Sequence, residues 1–261
     1  MSLNKYLRKG AAYARILLTH SKYVIIDSSQ WDKSLLDSNK FYLDAFRFFY
    51  FKLPVQLKLH KYYFNKNSRG FGEKAFHTMW YLLYEKYQFQ NFLEIGVYRG
   101  QTISLISLLA QLKKTDVTVY GISPFNNAGD DVSKYVEINY ELDVLNNFNY
   151  FSIKPPVLIK AFSTDKIAIN VISCRQWDCI YIDGSHDYDI AKQDWLNCSK
   201  KVKVGGIIVL DDASLYTNYK APFFAFNGHP GPSKVAEEIK GNSHFKEVLR
   251  IGHNRVFEKI S

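Results

Sequence analysis

FLEIGVYRGQT, residues 92–102, is the stretch from which the fold is read. FLEI is a short, largely apolar run, as expected of a strand covered on both faces. It stops at Gly96. From Gly100 onward, GQTISLISLLAQLKK (100–114) carries its apolar residues at helical spacing. Strand, glycine turn and helix in that order open a βαβ unit. Gly96 allows a tight turn and close backbone approach to a ligand, and Gly100 lets the helix start pack against the strand. Glu94 places a carboxylate near the strand end. The spacing is E-x-G-x-x-x-G, which differs from the G-x-G-x-x-G that binds a dinucleotide pyrophosphate.

The same rhythm continues downstream. VTVYGI (117–122), PVLIKA (156–161), DCIYID (178–183) and GGIIVLDD (205–212) read as strands. Helices are expected around 132–148, near 164–173, over YDIAKQDWLNCSKKV (188–202) and over SKVAEEIK (233–240). FKEVLRIGHNRVFEKI (245–260) reads as a terminal hairpin. Alternating strands and helices imply right-handed crossovers and a parallel sheet with both faces covered. The expected fold is therefore α/β and Rossmann-like: a doubly wound, mostly parallel, seven-stranded sheet closed by an antiparallel C-terminal hairpin.

Upstream, the pattern changes. The first 20 residues suggest a basic amphipathic helix, KYVIID (22–27) a short strand, and 30–52 one helix stopped by Pro54. NKNSRGFG (65–72) is the break at which we divide the chain, into a basic, aromatic-rich helical extension (1–70) and the α/β domain (71–261). EKAFHTMWYLLYEKY (73–87) leads into that domain as a helix. Residues 1–90 hold 15 Lys+Arg against 6 Asp+Glu, while 91–261 hold 19 of each, so the whole net charge of +9 is N-terminal. Such asymmetry suits an acidic partner such as nucleic acid, anionic lipid or a charged glycan, or else a solvated helical surface. No nucleic-acid-binding motif accompanies it, which favours the surface. The N-terminal aromatics point to a covered face, with a homo-oligomer contact as one cover. No stretch of 18 apolar residues without charge exists, so no transmembrane segment is expected. Cys174, Cys179 and Cys198 form no CxxC and are read as free, buried thiols in a reducing, cytoplasmic setting.

The chemistry concentrates in YIDGSHDYD (181–189) and GGIIVLDD (205–212). Asp183 ends one strand; Asp211 and Asp212 end the next. Neighbouring strands lie about 4.8 Å apart, so three carboxylates should converge. Like charges so placed raise one another's pKa unless neutralised. An oxygen-liganded divalent cation, Mg²⁺ or a similar ion, is the simplest neutraliser. His186, kept close by the Gly184-Ser185 turn, could then take the proton of a substrate hydroxyl. Asp183 and Asp187 are also good helix caps, and Asp187 is read as the cap of the 188–202 helix.

EIGVYRG resembles the first motif of class I S-adenosylmethionine (SAM)-dependent methyltransferases. That resemblance implies a SAM site around Glu94, Gly96, Gly100 and Asp183. Where the family has an acidic residue for the ribose hydroxyls, the strand end GISPF (121–125) offers Ser123. EIGVYRG, YIDGSHDY and GGIIVLDD together resemble the metal-dependent sugar O-methyltransferases of the macrocin O-methyltransferase type, over roughly residues 72–261. The resemblance implies Asp183, Asp211 and Asp212 as metal ligands and His186 as base. The loop TNYKAPFFAFNGHPGPSK (217–234) would suit a mobile lid over a sugar or other ring, with Tyr216, Phe223, Phe224 and His229 as substrate contacts. The expected activity is SAM- and metal-dependent O-methylation of a sugar or glycan. The alternatives are methylation of a catechol-like phenol and, from another class, binding of nucleic acid or an acidic surface by the basic N-terminal third.

Overall fold

The computed structural model describes residues 3–18, 26–127 and 136–261, and the side chains of these from residue 8 onward. The apolar runs become seven strands: β1 (Asn91–Ile95), β2 (Thr118–Ser123), β3 (Val157–Lys160), β4 (Trp177–Ile182), β5 (Val202–Leu210), β6 (Phe245–Ile251) and β7 (Asn254–Lys259). They form one sheet in the order β3-β2-β1-β4-β5-β7-β6, in which β7 runs antiparallel to both its neighbours. Strand order reverses between β1 and β4, whose carboxyl ends border the crevice where open α/β sheets bind ligands.

Helices α1 (Leu3–Leu18), α2 (Lys33–Leu36), α3 (Ser38–Phe51), α4 (Val55–Asn65) and α5 (Lys74–Tyr87) precede the sheet. Then follow α6 (Gln101–Lys113), α7 (Tyr140–Tyr150), α8 (Lys166–Ser173), α9 (Tyr188–Ser199) and α10 (Pro230–Ile239). Alternation along β4 splits the core in two. Cys179 and Tyr181 face a core shared with α3, α5 and α6, while Ile180 and Ile182 face one shared with α8, α9 and α10.

The N-terminal third departs from its sequence reading in two places. The stretch 30–52 is two helices, because Asp37 both ends α2 and starts α3. Its N–H donates to the Lys33 carbonyl, and its side chain accepts from the Lys40 N–H. Pro54 precedes α4, a helix the sequence reading left unassigned, and serves as its N-cap residue. Most of the expected strand 22–27, and the start of the expected helix 132–148, lie outside the described residues.

Many aromatics of this region are covered by the chain itself, while Phe51 and Tyr62 stay exposed. Phe41, Tyr42, Phe46 and Phe49 of α3 are buried in one core with Trp80 of α5, Phe92 of β1 and Tyr181 of β4. Each such ring contributes roughly 1.5–3 kcal/mol through burial, so α3 is integral to the sheet's cover. Of the cysteines, Cys179 and Cys198 are buried free thiols as expected, but Cys174 is exposed just past α8. Among the described residues no helix is long and apolar enough to cross a membrane.

Candidate active site

The β1–α6 turn is the floor of the site. Gly96 has φ +93°, and a Cβ placed there would stand 1.8 Å from the Asp183 carbonyl oxygen. Glycine is therefore demanded by the main chain of the β4 end as well as by the backbone angle. Two hydrogen bonds clamp the turn: Gly96 N–H donates to Ile122 O at 2.9 Å, and Asp183 N–H to Ile95 O at 2.8 Å. Gly100, at φ +78°, is the N-cap residue of α6 and lies against Val144 of α7 rather than against the strand. Glu94 is buried and accepts hydrogen bonds from the Thr102 hydroxyl and the Ile103 N–H in the first turn of α6. Burial pushes its pKa up to about 8, against those two bonds and with help from the charge of Asp211. Its Oε2 has no hydrogen-bond partner among the described residues. Ser123 ends β2, one residue beyond the Ile122 carbonyl that holds Gly96.

The acids meet as the strand register requires. Ile182 of β4 pairs with Leu210 of β5, which sets Asp183 beside Asp211, and the two side chains share a hydrogen bond. Burial, reinforced by Asp211, pushes Asp183 well above the usual carboxylate range. Burial also raises Asp211, but His253 outweighs it and the net shift is downward. His253 Nε2 stands 3.2 Å from Asp211 Oδ1. Its pKa rises to about 10, because the Asp211 charge overcomes the burial that would lower it. Asp212 adopts φ +51°, a strained angle for a residue with a Cβ. It turns its Oδ2 to His186 Nε2 at 2.9 Å and to His229 Nε2 at 3.8 Å. The rings of His186 and His229 lie 4.0 Å apart.

Three imidazoles thus stand at the acids: His186, expected there as the base, His229 at Asp212 and His253 at Asp211. Ligand atoms of Asp211, Asp212 and His253 lie within 4.8 Å of one another, as do those of His186, Asp212 and His229. His229, read as a substrate contact, stands at Asp212 and precedes α10. His253 carries no signal of a site in the sequence. It sits in the β6–β7 turn, 42 residues from Asp211, and only the antiparallel pairing of β5 with β7 delivers it. The hairpin motif IGHN was visible; its destination was not. Asp187 caps α9 as expected, accepting from the Asp189 and Ile190 N–H groups.

The 217–229 segment borders the acids. Its start is tied to α2 and α3: Asn218 Nδ2 donates to Leu36 O at 2.7 Å, Asn39 Nδ2 to Asn218 O at 3.0 Å, and Lys220 N–H to Asn39 Oδ1 at 2.7 Å. Phe224 packs on Tyr13 and Phe46 at centroid distances of 4.7 and 5.5 Å. Tyr216 and Phe223 are largely exposed. Two aromatics outside the sequence reading lie closer in: Tyr219, buried against Tyr42 at 5.3 Å, and Phe226, 4.9 Å from His229.

Known proteins agree with this architecture. The family model of a methyltransferase domain matches residues 93–213. No curated protein matches the chain. Among solved structures, the chain is similar to a Staphylococcus aureus protein provisionally assigned as a caffeoyl-CoA O-methyltransferase, at 14% identity and TM-score 0.56 over 78% of this chain and 92% of that one. It is similar to TomG of Streptomyces achromogenes, an O-methyltransferase of tomaymycin synthesis in complex with SAM, at 12% identity and TM-score 0.54 over 91% and 100%. The O-methyltransferase of Bacillus cereus in complex with SAH aligns at 12% identity and TM-score 0.53 over 80% and 92%. The fold is that of SAM-dependent O-methyltransferases.

Proposed function

We propose that the chain is a SAM-dependent O-methyltransferase acting on a hydroxyl of a sugar or glycan with the aid of a divalent cation, a reading supported by the methyltransferase-domain model over residues 93–213 and by the fold shared with solved O-methyltransferases. The observation that carries this reading is the meeting of Asp183, Asp211, Asp212 and His186 at the ends of β4 and β5, beside the Gly96 turn.

The residues suit both SAM and a divalent cation. Glu94, Gly96, Gly100, Ser123 and Asp183, at or just beyond the carboxyl ends of β1, β2 and β4, are the residues we assign to SAM, and the Oε2 of Glu94 is a buried polar atom with no partner among the described residues. SAM, when bound there, supplies a methyl group on a positively charged sulfur. We assign Asp183, Asp211 and Asp212 as the hard-oxygen donors of Mg²⁺ or a similar cation, whose charge would lower the pKa of a neighbouring hydroxyl; Asp211 and Asp212 share one ligand cluster with His253, and Asp183 adjoins it through Asp211. The imidazole of His229, clustered with His186 and Asp212, widens the choice toward ions that accept nitrogen.

His186 takes the proton that the acceptor hydroxyl loses as its oxygen gains the methyl group. Asp212, 2.9 Å from its Nε2, orients the ring and stabilises the imidazolium so formed. His186→Ala should spare SAM binding and lower turnover by roughly 10²–10⁴-fold. Chelation with EDTA should likewise leave SAM calorimetry unchanged and stop transfer. Full activity of the double variant Asp211→Asn/Asp212→Asn in EDTA would refute the metal-assisted mechanism. A catechol-like phenol is the second reading, favoured by the exposed ring of Phe226, 4.9 Å from His229. Turnover on a panel of sugars and catechols separates the two.

A further inference from the structure

A second cluster of ionisable groups lies on the N-terminal side of the acids. Lys74, which opens α5, is 8% exposed, and Lys61 of α4 is 5% exposed. The Lys74 ammonium stands 4.1 Å from the Tyr13 ring centroid and 5.5 Å from those of Phe46 and Tyr50. Among the described residues it has no hydrogen-bond or ion-pair partner. Among the same residues Lys61 donates only to the neutral side chain of Asn65. The adjacent carboxylate, Glu73, accepts the Tyr42 hydroxyl.

Buried ammonium groups are costly unless a counter-charge meets them. Here burial, followed by repulsion from Lys74, pushes the pKa of Lys61 down to about 7. Burial, followed by repulsion from Lys9, pushes that of Lys74 down to about 8. The one carboxylate beside the two lysines, Glu73, is ion-paired with neither among the described residues, so the cluster is short of an anion.

The cluster also adjoins the acid–histidine site. Tyr13 and Phe46, two of the rings around Lys74, pack on Phe224 of the loop that follows Asp212. Glu73 Oε1 lies 3.4 Å from where a Cβ on Gly252 would stand, one residue before His253.

We propose that this cluster is an oxyanion subsite for the acceptor: Lys74, backed by Lys61, holds a carboxylate or phosphate group while the hydroxyl to be methylated lies beside His186. The inference rests on the methyltransferase reading above and narrows the acceptor to an acidic sugar or a sugar phosphate. It also gives the N-terminal helices a part in the site, because α1, α3 and α4 supply Tyr13, Phe46 and Lys61.

The test is calorimetry on the full chain with inorganic phosphate, glucuronate, glucose and, separately, SAM. Phosphate and glucuronate should bind at least about tenfold tighter than glucose, as expected of charge-assisted hydrogen bonds in a dry site. Lys74→Met should erase that preference, Lys74→Arg should keep most of it, and SAM affinity should stay constant in both. Equal binding of all three probes, or none, overturns the proposal. So does a Lys74→Met protein with wild-type melting that still prefers the anions. Should Lys74→Met not fold, a Lys74→Arg protein that binds glucose as tightly as glucuronate overturns it equally. A loss of SAM affinity in Lys74→Met would assign the anion to the cofactor's own carboxylate, and the acceptor subsite would fall. Failure of SAM to bind the wild-type chain would instead remove the methyltransferase reading, whatever the sugar titrations show.

Discussion

Replacing Gly96 by alanine tests the contact that joins the two halves of the site. The new Cβ would stand 1.8 Å from the Asp183 carbonyl oxygen, 2.4 Å from its carbon and 2.7 Å from the Gly184 Cα. All three are main-chain atoms, so no side chain can swing away. The β1 and β4 ends must separate by more than about an ångström to restore van der Waals contact. That movement breaks the Asp183 N–H to Ile95 O bond, 2.8 Å long, which joins the two strand ends. It is worth about 1 kcal/mol net, and a side chain at φ +93° adds roughly 1–2 kcal/mol of strain. The sum is about 2–3 kcal/mol, a fall in melting temperature of roughly 4–12 °C for a chain of this size. Gly205→Ala is the internal control, because its φ is +78° but nothing lies within 4 Å of the new Cβ. It should cost only the strain, about 1–2 kcal/mol. The assay is thermal melting of both variants beside wild type, with SAM calorimetry on whatever remains folded. Equal melting temperatures for the two variants would refute the argument, since backbone strain alone would then explain both.

Three further predictions concern the scaffold. Glu247 accepts Arg250 Nε at 3.0 Å and Arg255 Nε at 2.8 Å, while Arg255 reaches on to Glu237 at 2.7 Å. Burial raises the pKa of Glu247, but the two guanidiniums outweigh it and the net shift is downward. Its stabilisation is therefore full above the ordinary carboxylate value and is lost as pH falls through the lowered folded value. Glu247→Gln should cost about 3–5 kcal/mol in urea unfolding at pH 7, and the gap to wild type should close below about pH 4. His60 is buried between His77 Nε2 at 3.1 Å and Ser104 Oγ at 2.9 Å. Burial, with help from Lys61, lowers its pKa to about 3. The unfolded chain binds this proton first, so stability should fall as pH drops from about 6.5 toward that value, by up to about 1.4 kcal/mol per pH unit. His60→Asn should flatten that slope in denaturant titrations; an unchanged slope would count against a neutral buried ring. Asn39→Ala removes two of the bonds that hold the start of the 217–229 segment. Hydrogen exchange at the Lys220 amide should then quicken about fivefold or more, and an unaltered rate would show that the tether does not restrain the loop.

Local pattern made the sheet readable. The strands are runs of β-branched and aromatic residues bounded by glycines and acids, and doubly buried strands leave little else to choose from. Asp183, Asp211 and Asp212 could be placed together because each ends an apolar run, and parallel neighbours put their carboxyl ends side by side. His186 followed from its short distance to Asp183, and Asp187 from its position before a helical repeat. The helix break at Asp37 was harder, because the aromatic periodicity runs through it and only the two-sided capping of that residue divides α2 from α3.

What the chain alone determined, then, is the α/β sheet and the acids with one histidine at its crevice. Tertiary structure decided the rest: His253 on Asp211, His229 on Asp212, the main-chain contact behind Gly96, and two buried lysines behind the aromatic rings. The physical reason is range. Periodicity and capping act over a few residues, whereas these contacts join segments from 17 to 87 residues apart, brought together by strand pairing and by the burial of the N-terminal helices.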